Sequence, residues 1–280
     1  MILFKQADTL SRYLAKVHLE GKTTGFVPTM GALHDGHLAL VESAKTNTDV
    51  TVVSIFVNPT QFNDPADFKK YPVSIDQDVR LLLEHGADIL FLPSQTEIYP
   101  AGTGRPKQYE LGTLESRLEG AFRPGHFQGV CQVMDRLLGI VTPDRLFMGR
   151  KDYQQCMIIE KLIRLEKFTT KLEIVNTVRE SDGLAMSSRN MRLSARERSI
   201  APSIYEALQY VKKNIQQGNQ ELLLAKAKEL LAEHSFRIEY LELTDAENLE
   251  PVCDWDGKRG MVAIVAGFIN EVRLIDNLPV

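Results

Sequence analysis

The chain has 280 residues, 44% apolar and 25% charged, with 33 Lys and Arg against 37 Asp and Glu and a formal net charge of −4. That length can bury the core of one large domain or two modest ones. The acidic balance argues against general nucleic-acid or anionic-membrane binding, which wants a basic surface. An anionic ligand would depend on local cations, and two stretches supply them: residues 117–151 hold six Lys or Arg against three acids, and residues 179–198 hold five against three.

At the start of the chain, charges are scattered at Lys5, Asp8, Arg12 and Lys16, without the apolar core of a signal peptide. No apolar run approaches a membrane span, so the expected location is cytoplasmic, with no membrane partner. Residues 25–28 and 50–57 are rich in β-branched side chains and read as buried strands. Residues 89–92, 146–148 and 172–178 read as three more. Helical patterns lie between them at 38–45, 75–85, 130–140 and 153–165. This alternation implies βαβ units and a mostly parallel sheet covered on both faces, so the fold class is α/β. Ligands of such sheets sit beyond the carboxyl ends of the strands. Residues 99–109, with Pro100, Gly102, Gly104 and Pro106, read as a flexible loop or lid.

The texture changes near residue 177, which divides the chain into domains of 1–177 and 178–280. Ser194-Ala195-Arg196-Glu197 is a capping box. It opens a helix reaching to about residue 217, with a kink or break at Pro202. A second helix spans residues 220–234, and strands follow at 237–243, 261–269 and 272–275. The last two are separated by Asn270-Glu271, a tight turn. The C-terminal part is therefore a small α+β domain with an antiparallel sheet. Cys131, Cys156 and Cys253 are odd in number and widely spaced. They point to reduced thiols in a reducing compartment, with no disulfide framework and no structural zinc.

Two segments carry the chemistry. Met30-Gly31-Ala32-Leu33-His34-Asp35-Gly36-His37 follows the first of these strands, with His37 opening the next helix. A helix N-terminus offers free N–H groups and partial positive charge to a phosphate. Imidazoles three residues apart share one face of the first turn and can donate to phosphate oxygens as their charge grows. Chance and zinc also produce an H-x-x-H pair, but no further Cys or His cluster supplies the remaining zinc ligands. The second segment, Met186-Ser187-Ser188-Arg189, is a loop whose hydroxyls and guanidinium suit phosphate oxygens. Alone it reads as a solvated surface turn; paired with the first segment it reads as the other half of a phosphate grip.

The first segment resembles the H-I-G-H signature of the nucleotidylyltransferase and class I synthetase superfamily, and the second its K-M-S-K-S counterpart. Longer motifs resemble the pantoate–β-alanine ligase family over nearly the whole chain. They begin with Pro28-Thr29 leading into the first segment, then Ser54-Ile55-Phe56-Val57-Asn58-Pro59-Thr60-Gln61-Phe62 and Arg123-Pro124-Gly125-His126-Phe127. Gly149-Arg150-Lys151-Asp152-Tyr153-Gln154-Gln155 follows, and Arg179-Glu180 leads into the second segment.

The resemblance implies a Rossmann-like N-terminal domain, a smaller C-terminal domain that closes as a lid, and a homodimer. It implies an ATP-dependent ligase that joins pantoate and β-alanine through a pantoyl adenylate, with Mg2+ accompanying the ATP. The implied ATP set is Met30, Gly31, Ala32, Leu33, His34, Asp35, Gly36, His37, Gly149, Arg150, Lys151, Asp152, Val178, Met186, Ser187, Ser188 and Arg189. Of these, His37, His34, Lys151, Ser187, Ser188 and Arg189 act in catalysis. His37 is the family's proton donor, by proton transfer or by hydrogen-bond donation. Lys151 and the Ser187–Arg189 loop hold the β- and γ-phosphates, and Gly149 and Asp152 the ribose.

Gln61 and Gln155 bind pantoate, their amides offering donors and an acceptor without charge. Met30 and Phe56 serve either as an apolar wall for its methyl groups or as ordinary core. Asp78 aligns loosely with an acidic, metal-proximal position, and the metal ligands stay unassigned. Arg123 is a substrate or a dimer contact. The alternatives are a nucleotidyltransferase acting on a phosphorylated small molecule, and a non-catalytic nucleotide-binding regulator.

Overall fold

The computed structural model describes residues 1–62, 68, 71–102, 104 and 107–280. They divide into two compact units, Met1–Gly149 with Gln155–Asn176, and Arg150–Gln154 with Thr177–Val280.

The first unit grows from short apolar strands: β1 (Ile2–Phe4), β2 (Thr24–Thr29), β3 (Val50–Ile55), β4 (Ile89–Phe91), β5 (Arg145–Gly149) and β6 (Lys171–Val175). Among the described residues they form one six-stranded sheet in the order β1-β4-β3-β2-β5-β6, every pair parallel. The period of two along each strand feeds two separate cores. Phe26, Val52 and Leu146 pack with Leu10 and Leu14 of α1 (Ala7–Leu19), with α6 (His126–Val141) and with Cys156 to Ile163 of α7 (Tyr153–Leu165). Val27, Val53 and Phe147 pack with Leu40, Val41 and Ala44 of α2 (Asp35–Asn47) and Leu82 of α3 (Ile75–Glu84). Phe26 and Val27 are both fully buried, each contributing about 1.5–3 kcal/mol of apolar transfer. Two short helices, α4 (Gln95–Ile98) and α5 (Glu119–Phe122), also belong to the unit. Strand order reverses about β2, whose neighbours are β3 and β5, and such a switch point opens a crevice beyond the carboxyl ends.

The second unit carries α8 (Ala195–Ile200), α9 (Ser203–Asn214) and α10 (Glu221–Glu233), with β8 (Arg237–Asp245), β10 (Met261–Ile269) and β11 (Val272–Pro279). These three strands pair antiparallel in the order β11-β10-β8. Their inner face meets Ile204, Ala207, Leu208 and Val211 of α9 and Ala227 and Leu231 of α10. A two-stranded ribbon of β7 (Gly218–Asn219) and β9 (Asp254–Trp255) lies beside them in sequence.

The α/β reading and the antiparallel C-terminal sheet both hold. Differences lie at element ends. The break expected at Pro202 separates α8 from α9, because proline has no N–H for the ladder, and α9 ends at Asn214, short of the expected residue 217. The last strand runs on to Pro279, beyond the expected residue 275, and its polar Asp276 and Asn277 are buried. The strand expected at 172–178 ends at Val175. The loop expected at 99–109 contains residues 103, 105 and 106, which lie outside the described residues. Its end Tyr99 is buried and donates to Asn58 Oδ1 at 2.8 Å.

Candidate active site

In the first unit, the segment after β2 turns through two left-handed residues, Gly31 (φ +82°) and Ala32 (φ +49°). A buried carboxylate holds that shape. Asp78 of α3 accepts from Ala32 N at 2.9 Å through Oδ2 and from Leu33 N at 2.8 Å through Oδ1, and Ser74 Oγ donates to Oδ1 at 3.1 Å. Its position in the first turn of α3 adds the favourable helix-end field. A Cβ at Gly31 would stand 3.0 Å from Asp78 Oδ2 and 3.2 Å from Ile55 Cγ2, so glycine is required on two counts.

The turn delivers His34 as N-cap of α2, two residues earlier than a helix opening at His37 would begin. His34 Nδ1 accepts from Gly36 N at 3.2 Å, and His37 Nδ1 accepts from His34 N at 3.4 Å. The two rings lie 4.0 Å apart at 39°. With Nδ1 accepting, each neutral imidazole carries its proton on Nε2, and that nitrogen is the donor. The segment therefore joins backbone N–H groups and ring donors at one positive helix end, at the carboxyl edge of the sheet.

Gln61 is in the same unit. It ends a short turn, Pro59–Gln61, capped by Asn58. Gln61 Nε2 donates to Met30 Sδ at 3.0 Å, which joins this substrate candidate to the phosphate segment. Asn58 Nδ2 donates to Gln61 Oε1 at 3.1 Å and to Gly129 O at 3.2 Å. His126 Nδ1 lies 2.8 Å from Gln61 O, and Arg123 Nη1 lies 3.1 Å from His126 Nε2. His126 therefore donates from Nδ1 to the carbonyl and accepts the Arg123 guanidinium at Nε2. Gly129 lets α6 approach this turn, since a Cβ there would stand 2.1 Å from Thr60 O. Phe56 is buried against Tyr99, ring centroids 6.3 Å apart. Gly149 closes β5 next to β2, and Gln155 is half-buried on α7.

In the second unit, Arg150, Lys151 and Asp152 form one short turn. Asn277 Nδ2 donates to the carbonyls of Arg150 at 2.9 Å and Lys151 at 2.8 Å. The other expected phosphate loop hangs from a reversed turn in which Val178 O accepts from Met186 N at 3.0 Å. Ser187 caps the turn Ser188–Arg192, its Oγ accepting from Arg189 N at 3.3 Å. Asn190 Nδ2 ties the loop to Ala185 O at 3.1 Å. Arg179 donates to Asp276 at 2.6 and 3.0 Å and to Gly183 O at 3.0 Å, and its guanidinium lies 3.7 Å over the Tyr205 ring. Burial pushes the Asp276 carboxyl up, and Arg179 and the Asn277 N–H pull against it. Thus Lys151 and the Ser187–Arg189 loop are tied into one scaffold.

Asp78, Asn58, Asp276 and Asn277 are the polar groups that motif reading left without a positioning role. For the last two, the available signal was an Asp-Asn pair between Ile275 and Leu278 of the terminal strand.

A parallel sheet with a switch point, and a paired-imidazole helix end at its carboxyl edge, define a Rossmann-like protein. Residues 2–279 match the family model of the Pantoate-beta-alanine ligase, and the chain belongs to that family. The pantothenate synthetase of Cytophaga hutchinsonii is 41% identical over 284 aligned positions, covering 100% of this chain and 99% of the relative. A solved pantothenate synthetase from Thermus thermophilus has a TM-score of 0.92 at 43% identity, covering 99% of both chains. The Francisella tularensis pantoate-beta-alanine ligase, complexed with Beta-gamma ATP and Beta-alanine, has a TM-score of 0.83 at 36% identity, covering 100% of this chain and 97% of its own.

Proposed function

We propose that the chain is an ATP-dependent ligase that condenses pantoate and β-alanine to pantothenate, releasing AMP and pyrophosphate. The observation that carries this is the α2 N-terminus, where the Nδ1 atoms of His34 and His37 accept backbone N–H groups, which makes Nε2 of each ring the donor type that phosphate oxygens require. Family membership, and a structural neighbour complexed with Beta-gamma ATP and Beta-alanine, support the same reading.

In the first step, a pantoate carboxylate oxygen bonds to the α-phosphorus and the bond to the bridging oxygen breaks, so pyrophosphate leaves. His34 and His37 donate to the oxygens that gain charge, by hydrogen bond rather than full proton transfer. Lys151, Ser187, Ser188 and Arg189 neutralise the β- and γ-phosphates. In the second step, the β-alanine nitrogen bonds to the acyl carbon, the bond to AMP breaks, and the amine gives up a proton. Gln61 orients pantoate, with Gln155 as its second amide and Met30 against its methyl groups.

Among the described residues, no three His, Cys, Asp or Glu gather for a metal, and both Asp78 oxygens already accept backbone N–H groups. The chain therefore presents no carboxylate cage among those residues. We assign Mg2+ to the nucleotide phosphates and water, the usual mode for that ion. We also propose a homodimer, tested by light scattering on the eluted protein, and a cytoplasmic location, tested by cell fractionation. No described helix is long and apolar enough to cross a membrane.

The test is mass spectrometry of products from ATP, pantoate and β-alanine, each omitted in turn. Pantothenate and AMP should form only with all three present. AMP appearing on a phosphorylated acceptor, independent of β-alanine, would overturn the reading in favour of a nucleotidyltransferase.

A further inference from the structure

Asn277 is 2% exposed, near the end of the terminal strand, and both its side-chain hydrogen bonds go to carbonyls of the Arg150–Lys151 turn. Donation to two carbonyls fixes which end of the amide is nitrogen. Its Oδ1 is then buried with no partner among the described residues. An unsatisfied acceptor is costly, so the site retains an amide for what its nitrogen holds. The adjacent Asp276 is the second anchor. Its carboxylate receives Arg179 in a forked pair and the Asn277 N–H at 2.8 Å. Arg179 in turn fixes Gly183 O, and it pairs across the reversed turn with Ala185, immediately before Met186. From Lys151 to the Ser187 loop the chain of contacts is thus carbonyl, amide, carboxylate, guanidinium and carbonyl. All of its members belong to the second unit.

We propose that Asn277, with the Asp276–Arg179 pair, is a positioning device for the nucleotide phosphates. It makes Lys151 and the Ser187–Arg189 loop one rigid cationic piece, although about 35 residues separate them in sequence. Lys151 then belongs to the C-terminal unit and not to that of β5, the strand that precedes it. This inference rests on the assignment of Lys151, Ser187, Ser188 and Arg189 to ATP phosphates.

The test compares Asn277→Leu, which fills similar space without donors, with Lys151→Ala and the double variant, all at a temperature where circular dichroism shows them folded. Asn277→Leu is expected to lower kcat/KM for ATP about tenfold while KM for pantoate stays within about twofold. On the Lys151→Ala background it should add less than about twofold, because the lysine it positions is gone. Should Asn277→Leu fail to fold, Arg179→Lys keeps the charge and loses the fork, and the same selective ATP defect is expected. A folded Asn277→Leu or Arg179→Lys enzyme with unchanged ATP kinetics overturns the positioning role, as does a loss spread equally over both substrates. If Lys151→Ala leaves ATP kinetics untouched, the phosphate assignment itself fails, a separate result.

Discussion

Asp78→Asn is the most informative single change, because it leaves size and shape almost intact. The carboxylate is fully buried and accepts from Ala32 N, Leu33 N and Ser74 Oγ at 2.9, 2.8 and 3.1 Å. Hydrogen bonds to an ionised acceptor contribute about 1.5–3 kcal/mol each. Asparagine keeps one acceptor oxygen, so one backbone N–H retains a neutral bond of about 1 kcal/mol. The other then faces an NH2 group, donor against donor, in a buried turn. The net loss is about 2–4 kcal/mol, a large share of a typical folding free energy of about 5–15 kcal/mol. The turn carries two left-handed residues, and Ala32 in that conformation already costs about 1–2 kcal/mol that the carboxylate offsets. Relaxation should therefore move His34 and His37, and a displacement on the order of 1 Å lowers turnover about 10²-fold. Urea unfolding reports the first quantity and pyrophosphate release at saturating substrates the second. Ser74→Ala is the control, losing one hydroxyl bond to the same carboxylate and about 1.5–3 kcal/mol while both backbone N–H bonds stay, with little change in rate. An Asp78→Asn enzyme within about 0.5 kcal/mol and twofold of the parent would refute the argument that this carboxylate shapes the histidine turn.

Gly129→Ala sets helix propensity against sterics. Alanine gains about 1 kcal/mol in a helix, but its Cβ would lie 2.1 Å from Thr60 O and 2.9 Å from Gln61 Cα. The melting temperature is expected to fall and KM for pantoate to rise about tenfold as α6 pushes the Gln61 turn aside; an unchanged KM would count against Gln61 as a pantoate ligand. Thiol titration of the native protein at pH 8 should show one fast cysteine, exposed Cys253. Cys131 is buried and its thiol is pushed up to about 12, chiefly by desolvation, so little thiolate exists there below that pH; with Cys156 it should react only on unfolding. A second fast thiol would contradict the packing of α6 or α7. Backbone amides of Ser187–Asn190 should gain protection from hydrogen exchange when ATP and pantoate are both added, and no difference would argue against this loop closing on nucleotide.

Elements whose burial is periodic were legible in the sequence, and those held by distant polar groups were not. The β2 and β3 strands announce themselves because each alternates into two cores, so nearly every residue is apolar or β-branched. The short edge strand β1 gives no such signal: Ile2 and Leu3 are half-exposed, and three residues show no period. Helix α1 escapes for a different reason. It buries Leu10, Leu14 and Val17 at helical spacing, but its N-cap is Gln6, which makes no side-chain capping bond. By contrast the Ser194–Glu197 capping box was readable and forms as expected, because both partners lie within one turn.

The same division runs through the candidate site. The groups proposed to touch substrate cluster in short motifs, since a loop must present several donors at once. The groups that hold those loops lie far away in sequence: Asp78 is 46 residues from Ala32, and Asp276 is 97 residues from Arg179. No local period encodes such pairings. What sequence does expose is the polar residue in an apolar setting, as with Asp276 and Asn277 between Ile275 and Leu278 of β11. A buried polar residue persists only where its hydrogen bonds hold something that matters. In this chain the buried polar positions, Asp78 and Asn277 foremost, are therefore the ones through which the fold sets the geometry of its reacting loops.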